Sequence, residues 1–453
     1  MKRIEIFPGK LQGTVRVPAS KSLAHRAIIC AALAGGTSEL KGLLTESEDI
    51  HATLQGMEAL GAIIHRETDQ LQIQGLHQAV DRLKWEEKFG SVDAGVSSEN
   101  LPQRCIDCNE SGSTLRFLLP IALTLPGTTR FIGKGNLGKR PMEPYFETFK
   151  EQDIEFIQRG PDPTCPEYSL DLTVSGGLKP GVFRLPGNVS SQFISGLLFA
   201  LPMLKDDSWI ELTTPLESRS YLEMTMAVLA DFGIKVQTVG DAQFLVPGRQ
   251  RYQSRGYDIE GDFSQAAFFL AAGALGSDVT VAGLNLDSLQ GDREVMSILQ
   301  QMGAMISQTP DGIKAKPGAA GLHGEVIDGS QCPDIIPILG AVAALSKDTT
   351  EIINAGRLRL KECDRLQAVR LELNRLGAHI IERTDGLVIQ GVDTLPGGAE
   401  VTSHGDHRIA MTLAIAATRC QQPIILDDPD CVAKSYPEFW QDYQKLGGRI
   451  AVI

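Results

Sequence analysis

No stretch of this sequence is apolar for long enough to cross a bilayer. The richest runs, 193–204, 266–275 and 335–345, fall short of the roughly 18–20 residues that a spanning helix needs. The opening, MKRIEIFPGKL, is basic but lacks the apolar core of a secretory signal, so a cytoplasmic protein is expected. Positive charge is in short supply as well: 43 Lys and Arg stand against 56 Asp and Glu, a net charge of −13. Such a field disfavours nucleic acid and anionic membranes as partners, so an anionic small molecule has to be met by a local basic cluster. The eight cysteines are scattered, and Cys105 and Cys108 form one CxxC with no second pair at zinc spacing. Free thiols in a reducing compartment, and no metal, are the expectation. The GxxxxGK(S/T), HExxH and GxSxG signatures are absent. Gly133–Gly138 does spell GxGxxG, but Pro141 and Pro144 interrupt the helix that a dinucleotide site requires, so no cofactor is expected.

What the chain does have is length and repetition. Its 453 residues, 42% apolar and 22% charged, suit an ordinary globular protein of two or three domains. One phrase, an amphipathic helix, a turn at or near glycine and two short alternating strands, recurs. It appears at 54–75, 226–248, 297–318 and 371–391, with weaker copies at 146–157 and 439–453. A second phrase interleaves with it, a polar turn feeding a strongly apolar helix, at 18–34, 109–123, 187–201, 261–275, 333–345 and 405–418. Asp262, Asp334 and Asp406 recur every 72 residues in that phrase. Each unit therefore reads strand, buried helix, strand, surface helix, hairpin. Repeats this long point to closed globular α/β domains of three units each, not to an open solenoid. A change in character falls near 252–261. The partner of the opening strand, 4–17, is not readable from patterning.

The starts of the apolar helices break a rule. A helix N-terminus carries partial positive charge and favours acidic side chains. Here Lys21, His25 and Arg26 open the first copy, Arg116 the second, and His407 and Arg408 the sixth. Cations at that position, beside Ser22, Ser111, Ser113, Ser190 and Ser191, suggest anion binding, although any single serine also reads as an ordinary N-cap. Further basic groups lie in short segments: Lys139-Arg140, the mixed run Arg357–Arg365, and Lys434. The mixed run reads either as a solvated face or as an acid set beside anion-binding cations.

The segments PASKSLAHRAIICAALA, ESGSTLRF, GKRPM, VSSQFISGLL, ESRSYLEMT, GDFSQAAFFLAA, LRLKECDRL, GDHRIAM and AKSYPEFW follow one another in this order. Together they closely resemble the 5-enolpyruvylshikimate-3-phosphate synthases (3-phosphoshikimate 1-carboxyvinyltransferases) of the bacterial monofunctional type, over essentially the whole chain. The resemblance implies two similar domains, each of three βαβαββ repeats, in an inside-out α/β barrel. It places residues 21–256 in an N-terminal domain, and 1–20 with 257–453 in a C-terminal one, with the active site in the cleft between them. It also implies that the first strand returns to the C-terminal domain.

Site residues follow from the same resemblance. Lys21 matches the lysine that meets both substrates. Ser22, Arg26, Ser190, Ser191, Gln192, Ser218, Tyr221, Asp334 and Lys361 match contacts to shikimate 3-phosphate. Gly112, Arg140, Gln192, Arg365, Arg408 and Lys434 match contacts to phosphoenolpyruvate. Asp334 is the expected base, and Glu362, assisted by Lys21, the expected proton donor. Two positions depart from the family pattern: Glu110 and Arg357 stand where Asn is common. Phe117 also stands where Pro is frequent. The implied reaction transfers the enolpyruvyl group of phosphoenolpyruvate to the 5-hydroxyl of shikimate 3-phosphate, through a tetrahedral ketal phosphate and with loss of phosphate. That is a step of the shikimate pathway toward chorismate and the aromatic amino acids. No cofactor is implied, a monomer is expected, and glyphosate is expected to occupy the phosphoenolpyruvate site. Two rival readings are a UDP-N-acetylglucosamine enolpyruvyl transferase on the same fold, which commonly has Lys-Asn in place of Lys21-Ser22, and a non-enzymatic clamp built from repeats.

Overall fold

The structure, a computed structural model, describes residues 2–43, 46–67, 70–76, 102–160 and 167–453. Cys165, and Thr68 and Asp69 in the hairpin of the first repeat, lie outside the described residues. The chain divides into two compact units, Met1–Ser20 with Glu260–Ile453, and Lys21–Ile259.

Among the described residues each unit holds three four-stranded sheets of one design, and Leu395–Gly397 pairs with Cys420–Gln422 as a further two-stranded sheet. In the second repeat, Gln103–Asp107 runs parallel to Thr128–Lys134, which pairs antiparallel with Tyr168–Ser175, and Glu155–Gln158 closes the edge as the other hairpin strand. The order is thus leading strand, central strand, second hairpin strand, first hairpin strand. The alternation of apolar residues down each hairpin sends one face inward, as in QLQIQ at Gln70–Gln74, where Leu71 and Ile73 are fully buried.

Six helices follow the leading strands: α1 (Lys21–Leu33), α2 (Gly112–Ala122), α3 (Ser191–Ala200), α4 (Phe263–Ala274), α5 (Ile336–Ala344) and α6 (His407–Ala417). They are apolar on every side, so they have to lie inside. Every residue of α4, α5 and α6 is buried, and so is α1 from Leu23 onward. In the unit that holds them, α4, α5 and α6 pack on one another. In the other unit α2 packs on α3, while α1 lies against the outer helices Glu48–Ala59 and Arg219–Asp231. No described helix is long and apolar enough to cross a membrane.

The α2–α3 contact shows how a local irregularity is absorbed. Pro120 lies inside α2 and has no N–H to give the carbonyl of Arg116, one turn earlier. The Tyr145 hydroxyl replaces it, donating to Arg116 O at 2.7 Å, with Phe193 O also in reach at 3.0 Å. Gly196 of α3 makes room, because a Cβ there would lie 2.2 Å from both Arg116 O and the Tyr145 hydroxyl.

The segment 4–17 is two strands, Arg3–Phe7 and Gln12–Arg16, broken at Pro8-Gly9. Arg3–Phe7 lies between Ile424–Asp427 and Arg449–Val452, antiparallel to both, where the other five four-stranded sheets have their second hairpin strand. Gln12–Arg16 leads into α1 in sequence, yet it pairs parallel with Asp278–Ala282, which follows α4. Conversely Gly256–Asp258 leads into α4 but pairs with Thr37–Lys41, which follows α1. The first and fourth repeats have exchanged leading strands: Gln12–Arg16, ahead of α1 in sequence, completes a sheet of the unit that holds α4, and Gly256–Asp258, ahead of α4, completes a sheet of the unit that holds α1.

Candidate active site

Helix starts organise the Lys21–Ile259 unit. Ser111 and Ser190 cap α2 and α3, accepting from the amides of Thr114 and Gln192. Capping leaves the following amides at the helix mouth, as an anion site requires. The Gln192 amide joins the two starts: its oxygen accepts from Arg116 Nη1 at 2.7 Å and its nitrogen donates to Ser113 Oγ at 3.0 Å. Arg116 also donates to Pro141 O at 2.9 Å, fixing the turn that carries Arg140. Gly112 lies among these groups, and a Cβ on it would be 2.9 Å from Arg140 Nη1 and 3.4 Å from Gln192 Oε1. Gly112, Arg140 and Gln192 therefore meet at one point, with Arg116 behind them.

At the mouth of α1, Lys21 Nζ pairs with Asp49 Oδ2 at 2.7 Å. Arg26, one turn on, is buried and donates to Thr225 Oγ1, Ser22 O and Tyr221 O. Ser218 is buried in the left-handed conformation, φ 53°, just ahead of Arg219–Asp231, and its carbonyl accepts from Tyr221 N. A bond from Glu217 N to Gly187 O sets that turn beside the Asn188–Ser191 turn. Phe117 fills the space beneath Arg26, whose guanidinium lies 5.4 Å from the ring centre. The Glu110 carboxylate lies over Gly135, in the 133–138 turn.

The other unit holds a denser cluster. Asp334 does not cap its helix as Asp262 and Asp406 cap theirs: Pro333 and Pro337 place it in a 3-10 turn ahead of α5. Its carboxylate is met by Lys361 Nζ at 3.3 Å, Arg365 Nη1 at 3.0 Å and Arg408 Nη2 at 3.2 Å. Arg365 is 1% exposed and meets two more carboxylates, Glu362 at 2.6 Å and Asp406 at 2.8 Å. Lys434 is buried and donates to Gly405 O at 3.0 Å, while Arg357 donates to Ser330 O at 2.7 Å.

The charges explain the titration. Burial pushes the Asp334 carboxyl up, but Arg408, Lys361 and Arg365 outweigh it and hold the group well below the usual range. Burial works against the charge on Arg365 too, and Asp406, Glu362 and Asp334 keep it firmly protonated. Burial lowers Lys361, only partly offset by Asp334. Asp292 is buried, accepts from Ser264 on α4, and is raised to about 7 by burial and by the Asp334 charge.

Several of these partners escape sequence reasoning. Asp49 is one more acid in the first turn of an outer helix. Asp406 is visible as a repeated helix start, but nothing local says that it anchors Arg365, 41 residues away. Thr53 and Thr225, buried hydroxyls that bind His25 and Arg26, carry no sequence signal.

The family model described as EPSP synthase (3-phosphoshikimate 1-carboxyvinyltransferase) matches residues 7–443. The 3-phosphoshikimate 1-carboxyvinyltransferase of Clostridioides difficile (strain 630) is 51% identical over 450 residues, 99% of this chain and 98% of that one. That of Clostridium beijerinckii is 50% identical over 448 residues, with the same coverage. Among solved structures, an EPSP synthase from Acinetobacter baumannii superposes with a TM-score of 0.76 at 27% identity, covering 100% of both chains. The enolpyruvyl transferase NikO from Streptomyces tendae shares the fold, with a TM-score of 0.75 at 16% identity over 100% of this chain and 99% of that one.

Proposed function

The chain belongs to the EPSP synthase (3-phosphoshikimate 1-carboxyvinyltransferase) family, transferases of the shikimate pathway, and from that premise we propose how its two half-sites serve one reaction. The reaction transfers the 1-carboxyvinyl group of phosphoenolpyruvate to the 5-hydroxyl of shikimate 3-phosphate. Gly112, Arg140 and Gln192 hold phosphoenolpyruvate from the Lys21–Ile259 unit, and Arg365, Arg408 and Lys434 hold it from the other. Ser22, Arg26, Ser190, Ser191, Gln192, Ser218 and Tyr221, with Asp334 and Lys361, hold shikimate 3-phosphate, and Lys21 meets both. One chain supplies both half-sites, so a monomer in the cytoplasm is the proposed working form.

The observation that carries this reading is the Asp334 carboxylate held ionised by three cations beside Glu362. An ionised carboxylate can take a proton, and the same cations can take an anionic substrate. When the phosphoenolpyruvate carboxylate draws on Arg365 and Arg408, Asp334 loses part of its stabilisation and its proton affinity rises. In the addition step Asp334 takes the 5-hydroxyl proton, the 5-oxygen bonds to C2, and Glu362, which takes up a proton once the phosphoenolpyruvate carboxylate has drawn Arg365 from it, delivers that proton to the methylene carbon. In the elimination step the bond between C2 and the phosphate oxygen breaks, the methyl group returns a proton to Glu362, and the leaving phosphate takes the proton held by Asp334, so both carboxyl groups return to their starting states. Cations on both anions offset their repulsion as they approach.

The test is phosphate release from phosphoenolpyruvate with shikimate 3-phosphate in one reaction and UDP-N-acetylglucosamine in another. Release in the first alone is expected, and release in the second alone overturns the substrate assignment. Glu362→Gln and Asp334→Ala are expected to lose most turnover, and near-wild-type rates would sink their roles.

A further inference from the structure

One buried hydrogen-bond chain in the Lys21–Ile259 unit joins the two helix starts without touching a substrate position. His25 Nδ1 lies 2.7 Å from Thr53 Oγ1, Thr53 Oγ1 lies 2.7 Å from Thr114 Oγ1, and Thr114 Oγ1 lies 2.8 Å from Ser111 Oγ. The four residues come from α1, the outer helix Glu48–Ala59, α2 and the cap of α2, and each is at most 2% exposed.

The proton order in this chain is determined. The Thr114 hydroxyl donates to Ser111 Oγ, which also accepts the Thr114 amide at 3.1 Å. A hydroxyl has a single proton, so Thr114 has to accept from Thr53, and Thr53 has to accept from His25. His25 is therefore the Nδ1–H tautomer. Burial keeps the ring neutral, with a pKa down at about 3. The same tautomer leaves a lone pair, not an N–H, at the buried Nε2, which has no hydrogen-bond partner among the described residues.

The chain is also one rung of a ladder. Lys21 and His25 are one turn apart on α1, and Asp49 and Thr53 are one turn apart on the outer helix. The Lys21–Asp49 pair thus stacks on the His25–Thr53 bond. From Thr53 the bonds continue to Ser111, whose neighbour is Gly112.

We propose that Thr53, through His25 on one side and Thr114 and Ser111 on the other, is a positioning residue that locks the Lys21 end of α1 in register with the Gly112 start of α2. The proposal rests on the reading above in which Lys21 and Gly112 meet phosphoenolpyruvate. Sub-ångström slack between the two helix starts then weakens the anion held by both, while most shikimate 3-phosphate contacts lie off the chain.

The experiment compares Thr53→Val and Thr53→Ser with the wild type in steady-state kinetics, and reads the His25 imidazole nitrogens by NMR. Thr53→Val is expected to raise KM for phosphoenolpyruvate about tenfold with KM for shikimate 3-phosphate changed less than about twofold. Thr53→Ser restores the wild-type value. The wild-type spectrum shows a neutral Nδ1–H ring at neutral pH, a readout independent of substrate. An unchanged KM in folded Thr53→Val, a rise shared equally by both substrates, or a lower melting temperature with wild-type kinetics overturns the proposal. So does an Nε2–H ring. Thr114→Val, from the far end of the chain, reproduces the KM split if Thr53→Val does not fold. Gly112→Ala separates the two levels: if it leaves phosphoenolpyruvate binding intact, the site reading has failed, whatever Thr53→Val does.

Discussion

Asp406→Asn isolates one charge in the most crowded part of the molecule. Asp406 is fully buried, its Oδ1 accepts the Arg408 amide at 2.9 Å, and its carboxylate meets Arg365 Nε at 2.8 Å and Nη2 at 3.3 Å. Asparagine keeps the cap, since its amide oxygen still accepts from Arg408 N. It then turns an NH2 group toward the Arg365 Nε–H, donor against donor. Removing one partner of a buried pair costs about 3–5 kcal/mol. Glu362 and Asp334 still face Arg365, which puts the loss at the lower end, about 3 kcal/mol. For a unit of this size that lowers the melting temperature by about 6–12 °C. Differential scanning calorimetry at neutral pH measures it, and turnover of the folded fraction is expected to fall because Arg365 shifts. A melting temperature within about 2 °C of wild type, with unchanged kcat/KM, refutes the claim that Asp406 anchors Arg365.

Other perturbations test separate parts. Tyr145→Phe leaves the Arg116 carbonyl beside Pro120 without its hydroxyl donor, so a loss of about 1–3 kcal/mol is expected in urea unfolding; no loss would mean that Arg116 O is satisfied elsewhere. Because the Asp334 carboxyl is held low in the folded state, its contribution is complete above the unfolded value near 3.9 and lost as pH falls below it. Asp334→Asn should therefore flatten the acid limb of a urea-midpoint profile, and parallel profiles would refute this. Asp292 acts in the opposite sense: raised to about 7, it costs stability progressively as pH rises from about 3.9 toward that value. Asp292→Asn should remove that decline, and an unaltered slope between those values would count against it. Glyphosate is expected to inhibit more tightly than millimolar, and Gly112→Ala to weaken it, since the added methyl lies 2.9 Å from Arg140 Nη1; equal inhibition constants would contradict that geometry.

The sequence makes the repeated unit readable because apolar helices and alternating hairpins leave a mark at each copy. It also shows cations at helix starts, where the dipole makes them conspicuous. It does not show which carboxylate each cation meets. Lys21–Asp49 and Arg365–Asp406 join elements whose separation is set by the closure of each unit, and no periodicity encodes it. Asp262, Asp334 and Asp406 look equivalent at equal spacing, yet the prolines around Asp334 remove it from capping and hand it to three cations. Patterning does not assign the leading strands of the first and fourth repeats either, because Gln12–Arg16 and Gly256–Asp258 do nothing locally that betrays where they pair; it is the resemblance that sends the opening strand to the C-terminal domain.

That exchange of strands bears on how the chain is made. Arg3–Phe7 emerges from the ribosome long before Ile424–Asp427 and Arg449–Val452, the strands with which it pairs. The Lys21–Ile259 unit contains every strand of its own sheets once Gly256–Asp258 has appeared. The other unit has to wait, with its earliest strands unpaired, until Arg449–Val452 has been synthesised. Contacts so distant in sequence are entropically slow to close. The waiting edges are those that a newborn chain can lose to a wrong neighbour. Fusions and truncations at the N-terminus will therefore be felt in the unit built from the C-terminal half, and no single cut releases either unit whole.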